Sequence, residues 1–163
     1  RRGAVMDAHD YRRALGSFPT GVTIVTAYDT DHDPWGLTAN SFTSVSLEPP
    51  VVSVCIAKSG RVFPTLSMSG HFTVNILSAT QADISGQFAS AQDDRFTGIH
   101  WQLSGFGLPL ITGAAAHLEC SVWRRYAGGD HEIIVGEVQH LAATDHTPLL
   151  YGLGRLTSFP SEL

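Results

Sequence analysis

Gly36 to Ala57 reads G-L-T-A-N-S-F-T-S-V-S-L-E-P-P-V-V-S-V-C-I-A. Taken two residues at a time, Leu37, Ala39, Val45 and Leu47 fall on one side, and Thr38, Asn40, Ser44 and Ser46 on the other. This alternation predicts an extended segment with one face in a core. Where a solvent face would carry Lys, Glu and Arg, those four positions carry short hydroxyls and one amide. Such groups donate and accept at close range without filling the space a ligand needs. A half-exposed Ser/Thr strand of any β protein would share the pattern. Glu48-Pro49-Pro50 stops ladder pairing, because proline lacks the N–H, and Val51 to Ala57 reads as the next strand.

Toward the N-terminus, Thr20 to Tyr28 is β-branched and alternating, a strand. Asp29 to Pro34 is a hairpin connection that lacks the Gly and closing Glu of a calcium loop. Residues 1–9 read as a loose tail, and Asp7 or Asp10 caps a short helix that stops at Gly16. Toward the C-terminus, Lys58-Ser59-Gly60-Arg61 leads into a predicted helix, Val62 to Met68, with Ser59 at the cap position. Free N–H groups in a first helical turn attract anions, so Lys58, Ser59 and Arg61 are the best phosphate candidates. A capped, solvated loop is the other reading.

His71 to Leu77 is a further strand, and Thr80 is placed to cap a helix carrying Ile84 and Phe88 on one stripe. Asp93 to Gly107 reads as irregular chain. Ala114 to Tyr126 and His131 to Leu141 alternate over long runs joined by Ala127-Gly128-Gly129-Asp130, a β-hairpin. Leu149 to Tyr151 and Arg155 to Phe159 are closing strands. Six or more strands against three short helices predict an all-β fold, closed into a barrel because closure removes exposed edges.

A chain of 163 residues fits one domain, residues 1–163, with a core of its own. A net charge of −5 argues against nucleic acid as a partner, since phosphate backbones need a basic patch. The apolar runs are too short to cross a bilayer, and Arg1 to Tyr11 has no signal-peptide core. Cys55 and Cys120 each sit in an apolar segment and read as buried free thiols, so a cytoplasmic location is expected. Nine of the ten basic residues are arginine, and Lys58 is the only lysine. The spacing of the eight histidines predicts no metal site. G-F-G at 105–107 and G-L-G at 152–154 lack the third glycine and the βαβ context of a dinucleotide fingerprint. His131 opens a strand after a glycine-rich tip, where it is either a simple exposed residue or faces a ligand.

The segments Y-R-R-A-L-G-S-F-P-T-G-V-T-I-V-T (11–26), G-L-T-A-N-S-F-T-S-V-S-L-E-P-P (36–50), F-T-V-N-I-L (72–77), D-R-F (94–96), P-L-I-T-G-A-A-A-H-L-E-C (109–120), G-G-D-H (128–131) and P-L-L-Y (148–151) occur in this order. Together they resemble the flavin reductase-like family, the NAD(P)H:flavin oxidoreductases that serve two-component flavin monooxygenases. The resemblance implies an FMN-binding split barrel, a homodimer, and FAD or FMN as the flavin with NADH, or else NADPH, as reductant. It assigns Thr38, Ala39, Asn40 and Ser41 to the isoalloxazine and ribityl chain, with Ser46 and Leu47 continuing that wall. Thr38 to Ser46 would span ~26 Å if extended, enough to run beside a flavin. Cys55, Ile56 and Ala57 are implied to contact the ring through backbone, and Lys58, Ser59 and Arg61 to meet the phosphate. Phe88 and Ala89 match a flavin-touching F-A pair. Gly129, Asp130 and His131 match a G-D-H implied to meet the nicotinamide nucleotide. Gly60 and Val62 depart from the family's K-x-S-[RS]-T by removing two hydroxyls. Hydride transfer from nicotinamide C4 to flavin N5 needs no obligatory acid or base, with His131 positioning the nicotinamide. A non-catalytic flavin carrier and a barrel for another apolar ligand are the alternatives.

Overall fold

Twelve strands and three short helices make up the computed structural model, which describes residues 5–160. In chain order they are α1 (Ala8–Gly16), β1 (Thr20–Gly21), β2 (Thr23–Tyr28), β3 (Pro34–Ala39), β4 (Thr43–Ser46), β5 (Val51–Ala57), α2 (Phe63–Met68) and β6 (His71–Ile76). Then follow α3 (Ala82–Ala89), β7 (Trp101–Leu103), β8 (Pro109–Ile111), β9 (Ala116–Gly128), β10 (His131–Ala143), β11 (Leu149–Gly152) and β12 (Arg155–Ser158). The predicted all-β class with a few short helices is what forms.

Seven strands pair antiparallel in the order β3-β2-β6-β9-β10-β5-β4. β3 and β4 are therefore the two edges of the sheet, although only residues 40–42 separate them in the chain. So short a link forces the sheet to curl until its edges meet, which makes the barrel. Ser41 fastens the seam: its Oγ donates to the Cys55 carbonyl at 2.9 Å and accepts from the Cys55 N–H at 3.0 Å.

The barrel interior buries Val25, Val54, Ile56, Phe72, Val74 and Ile134. A second core, with Ile24, Leu77, Phe88, Phe96 and Ile111, seats α3 and the β7–β8 ribbon on the outside of the sheet. Gly136 lies at a bulge in β10 where a Cβ would come within 2.5 Å of the Phe72 ring. Only glycine fits there. Burial, followed by the nearby charge of Glu119, pushes the Cys120 thiol up to about 12. A thiol-selective disulfide reagent at pH 8 should therefore leave Cys120 untouched until denaturant is added. Labelling of Cys120 in the native protein would contradict the packing.

Several expectations are corrected. Thr38 to Ser46 is not one extended run, because the chain leaves β3 after Ala39 and re-enters the sheet at Thr43 on the opposite edge. Val45 and Leu47, expected in the core, are 57% and 91% exposed. β4 is an edge strand with a register shift between Ser44 and Ser46, so the period of two is lost there. Ala8 and His9 belong to α1, not to a tail, and Asp7 caps it by accepting from the His9 and Asp10 N–H groups. Ser59 does not cap α2, which starts after Val62 with no side-chain cap. Thr80 does not cap α3 either: Gln81 stands at that position, its Oε1 accepting from the Ser78 N–H and its Nε2 donating to the Thr112 carbonyl. Trp101–Leu103, read as irregular, pairs with β8.

Candidate functional site

The open end of β5 carries Ile56 and Ala57 to the rim of the barrel, where β3 and α3 face them across a cleft of about 240 Å³. Its walls include Thr38, Ile56, Ala57, Arg61, Phe88 and Ala89, six of the residues assigned to the flavin. A second cleft of about 280 Å³ shares Thr38 and Ala89 with the first and adds Asn40, Ser85 and Tyr151. Larger surface clefts, such as the one of about 530 Å³ beside Pro19 and Leu156, hold none of the expected residues. Chemistry, not size, picks the site.

Thr38 Oγ1 donates to the Ser85 carbonyl at 2.6 Å, which pins β3 against α3. Phe88 is fully buried and forms the floor against Gly36, where a Cβ would lie 2.6 Å from its ring. Asn40 is exposed at the rim. Ala39 turns into the barrel core, and the polar atoms of Ser41 and the Cys55 backbone are spent on each other. Ser46 and Leu47 lie exposed outside both clefts. The wall expected from Ser41, Ser46, Leu47 and Cys55 is thus not brought together with the rest.

The G-D-H tip lies beside the end of β5. His131 sits opposite Ala57 in the β5–β10 ladder. The Lys58 N–H donates to the Asp130 carbonyl at 3.0 Å, and Lys58 Nζ donates to the Gly129 carbonyl at 2.8 Å. His131 Nδ1 and Asp130 Oδ1 are 2.7 Å apart. The hydrogen bond from His131, then its charge, holds the Asp130 carboxyl below its ordinary range. A depressed carboxyl stabilises the contact above the ordinary range, and that support is lost as pH falls through the lowered value.

Sequence reading missed Arg95. Its Nη1 donates to the Gly36 carbonyl at 2.9 Å and its Nη2 to the Ser90 carbonyl at 2.8 Å. Burial first, then the neighbouring charge of Arg61, lowers its pKa. Two arginines, Arg61 and Arg95, therefore line the cleft together with the apolar Leu37, Ile56 and Phe88. The signal was the D-R-F segment, which carried the resemblance without a role being given to its arginine. Arg61 also pairs with Asp93, and Ser59 lies exposed in the turn between Lys58 and Arg61.

Residues 15–160 match the family described as "Flavin reductase like domain". The chain belongs to that family. It is 39% identical over 164 residues to HsaB, the reductase subunit of a flavin-dependent monooxygenase of Mycobacterium tuberculosis, covering 98% of this chain and 86% of that one. It is 43% identical over 150 residues to Stc3, the stachydrine N-demethylase reductase subunit of Rhizobium meliloti, covering 92% of this chain. The chain spans 65% of the length of Stc3 and 43% of the length of another Rhizobium meliloti relative. Among solved structures, the NADH:FAD oxidoreductase SgcE6 of Streptomyces globisporus, in complex with NAD and FAD fragments, superposes with a TM-score of 0.90. That match is 41% identical and covers 98% of this chain and 99% of that one. No helix among the described residues is long and apolar enough to cross a membrane.

Proposed function

We propose that this chain is an NADH-dependent flavin reductase that supplies reduced FAD or FMN to a partner monooxygenase. The observation that carries this reading is the cleft at the end of β5, in which Thr38, Ala57, Arg61, Phe88 and Ala89 meet and whose Ala57 is the ladder partner of His131. The residues present fit a flavin: an apolar lining suits the ring, and the Arg61 guanidinium, with the charge of Arg95 near it, suits a phosphate. Flavin held there supplies the electrophilic ring that takes hydride from the nicotinamide.

The chain's own residues bind and orient. Phe88 and Ile56, both buried, support the cleft from beneath, and Thr38, fixed by Ser85, keeps β3 at a set distance from α3. Asn40 at the rim is free to donate to a polar ring edge. Arg61, with Arg95 beside it, receives the phosphate. Asp130 fixes the His131 ring, so that His131 presents its other nitrogen to a nicotinamide nucleotide. No side chain has to move a proton for hydride transfer, and none of these residues is assigned that role. Gly129 and Asp130 complete the tip by holding Lys58.

We infer a homodimer as well. Val45, Leu47, Trp123 and Tyr126 are large apolar side chains exposed on a single chain, and burying them against a second copy removes that surface from water. The name of HsaB, a reductase subunit of a flavin-dependent monooxygenase, supports a monooxygenase as recipient of the reduced flavin. The test is steady-state NADH oxidation with FMN, FAD and riboflavin in turn. Turnover with at least one flavin is expected, and a yellow protein that consumes no NADH would indicate the carrier instead. His131→Ala should raise the apparent KM for NADH roughly 5- to 10-fold, the loss of about one hydrogen bond, with flavin affinity nearly intact. An unchanged KM would remove His131 from the nicotinamide site.

A further inference from the structure

The cationic end of the cleft is satisfied by the chain itself. Arg61 Nη1 donates to Asp93 Oδ1, and Lys58 Nζ donates to the Gly129 carbonyl. Arg95 spends both terminal nitrogens on the Gly36 and Ser90 carbonyls. Of these acceptors only Asp93 is a full charge. Its neighbour Asp94 is locked in a turn, accepting from the Phe96 and Thr97 N–H groups and from the Thr97 hydroxyl. Asp93 is different: its side chain is 91% exposed, and among the described residues it has no hydrogen-bond partner besides Arg61.

We propose that Asp93 is an internal competitor for the flavin phosphate, holding Arg61 in the free protein and lowering the affinity for flavin in either redox state. The inference rests on the reading of Arg61 as a phosphate ligand. A phosphate monoester offers the guanidinium two oxygens, as a carboxylate does, but carries close to twice the charge, so it competes with Asp93 for Arg61 when flavin arrives. The displaced carboxylate stays on the same short loop as the fastened Arg95, where it repels the dianion. An exposed ion pair is worth only a factor of roughly 2 to 5 in an equilibrium constant. A small factor of that kind is suited to a flavin that has to bind, be reduced and leave. It also sets the scale of the test.

FMN and riboflavin binding would be followed by flavin fluorescence quenching with the wild-type chain, Asp93→Asn, Arg61→Ala and the double variant. Asp93→Asn should lower the Kd for FMN roughly 3- to 5-fold at low ionic strength, with the gain shrinking at high salt. Riboflavin, which has no phosphate, should bind the variant and the wild type equally. In the Arg61→Ala background most of the gain should vanish. An FMN Kd unchanged by Arg61→Ala overturns the phosphate reading and this inference together. Weakened FMN binding in Arg61→Ala, with Asp93→Asn neutral or also weakened, overturns the inference alone and makes Asp93 a group that positions Arg61. Equal shifts for FMN and riboflavin in Asp93→Asn overturn it too, as a structural effect. The exposed position of Asp93 makes misfolding of the variant no obstacle.

Discussion

Phe88→Ala is expected to lower stability by about 3–5 kcal/mol, the cost of deleting a buried aromatic ring, and to weaken flavin binding with it. Phe88 has no exposed surface and packs edge-on against Phe96, with ring centroids 5.0 Å apart. Phe96 in turn meets Trp101 edge-on at 5.6 Å, so the three rings tie α3, the D-R-F loop and β7 into one block. β3 closes on that block because Gly36 leaves room for the Phe88 ring. Removing the ring takes away the floor of the cleft and the support of the loop that holds Arg95. Urea denaturation should show a lower midpoint at an unchanged slope. A loss under about 1 kcal/mol, ordinary for a surface substitution, would show that the ring is not packed as described.

Arg125→Ala is expected to cost about 2–3 kcal/mol, somewhat less than a fully buried pair would lose because both side chains keep some exposure. Arg125 Nη1 donates to Glu132 Oε1 at 2.7 Å, and Nη2 donates to the carbonyls of Leu66 and Ser69 at 2.7 and 2.8 Å. The Arg125 and Glu132 side chains are 25% and 20% exposed. One guanidinium thus joins β9, β10 and the C-terminal end of α2, which has no basic residue in its own last turn. Its loss leaves a half-buried carboxylate and two carbonyls unpartnered, at the base of the hairpin tip that carries Asp130 and His131. Arg125→Lys should recover only part of the stability, since an ammonium cannot span the three acceptors as a planar fork does. Hydrogen exchange should rise over residues 127–132 in the alanine variant. Unchanged exchange there would separate the tip from this anchor.

The strands were legible in the chain because their periodicity is local. Thr23 to Tyr28, Val51 to Ala57 and the long β9–β10 pair are alternating or β-branched runs bounded by glycine, proline or aspartate. The helix starts were less legible: Asp7 caps as expected, but Ser59 and Thr80 do not, because a hydroxyl near a helix can as readily turn elsewhere. Thr80 spends its hydroxyl near Ser78, 3.3 Å away. β7 was missed since three residues show no period.

For the site, the resemblance pointed to segments that the fold gathers around one cleft, including Thr38, Ile56, Ala57, Arg61, Phe88 and Ala89. Which polar atoms those segments leave available was decided in three dimensions. Ser41 looked like a ligand-facing hydroxyl and is the clasp of the barrel seam. Arg95 was given no role and stands near Arg61. A hydrogen bond between residues 14 or 59 positions apart, as in Ser41 to Cys55 or Arg95 to Gly36, leaves no trace in either local pattern.

The amino-acid sequence alone determined the β class, the hairpin with its G-D-H tip and the resemblance that named the family, because strand period, turn chemistry and motif order are properties of neighbours along the chain. Tertiary structure decided that β3 and β4 become opposite edges of one sheet, that Val45 and Leu47 face outward, and that Asp93 meets Arg61. Those outcomes follow from barrel closure, which brings distant residues together and so assigns each side chain its partner.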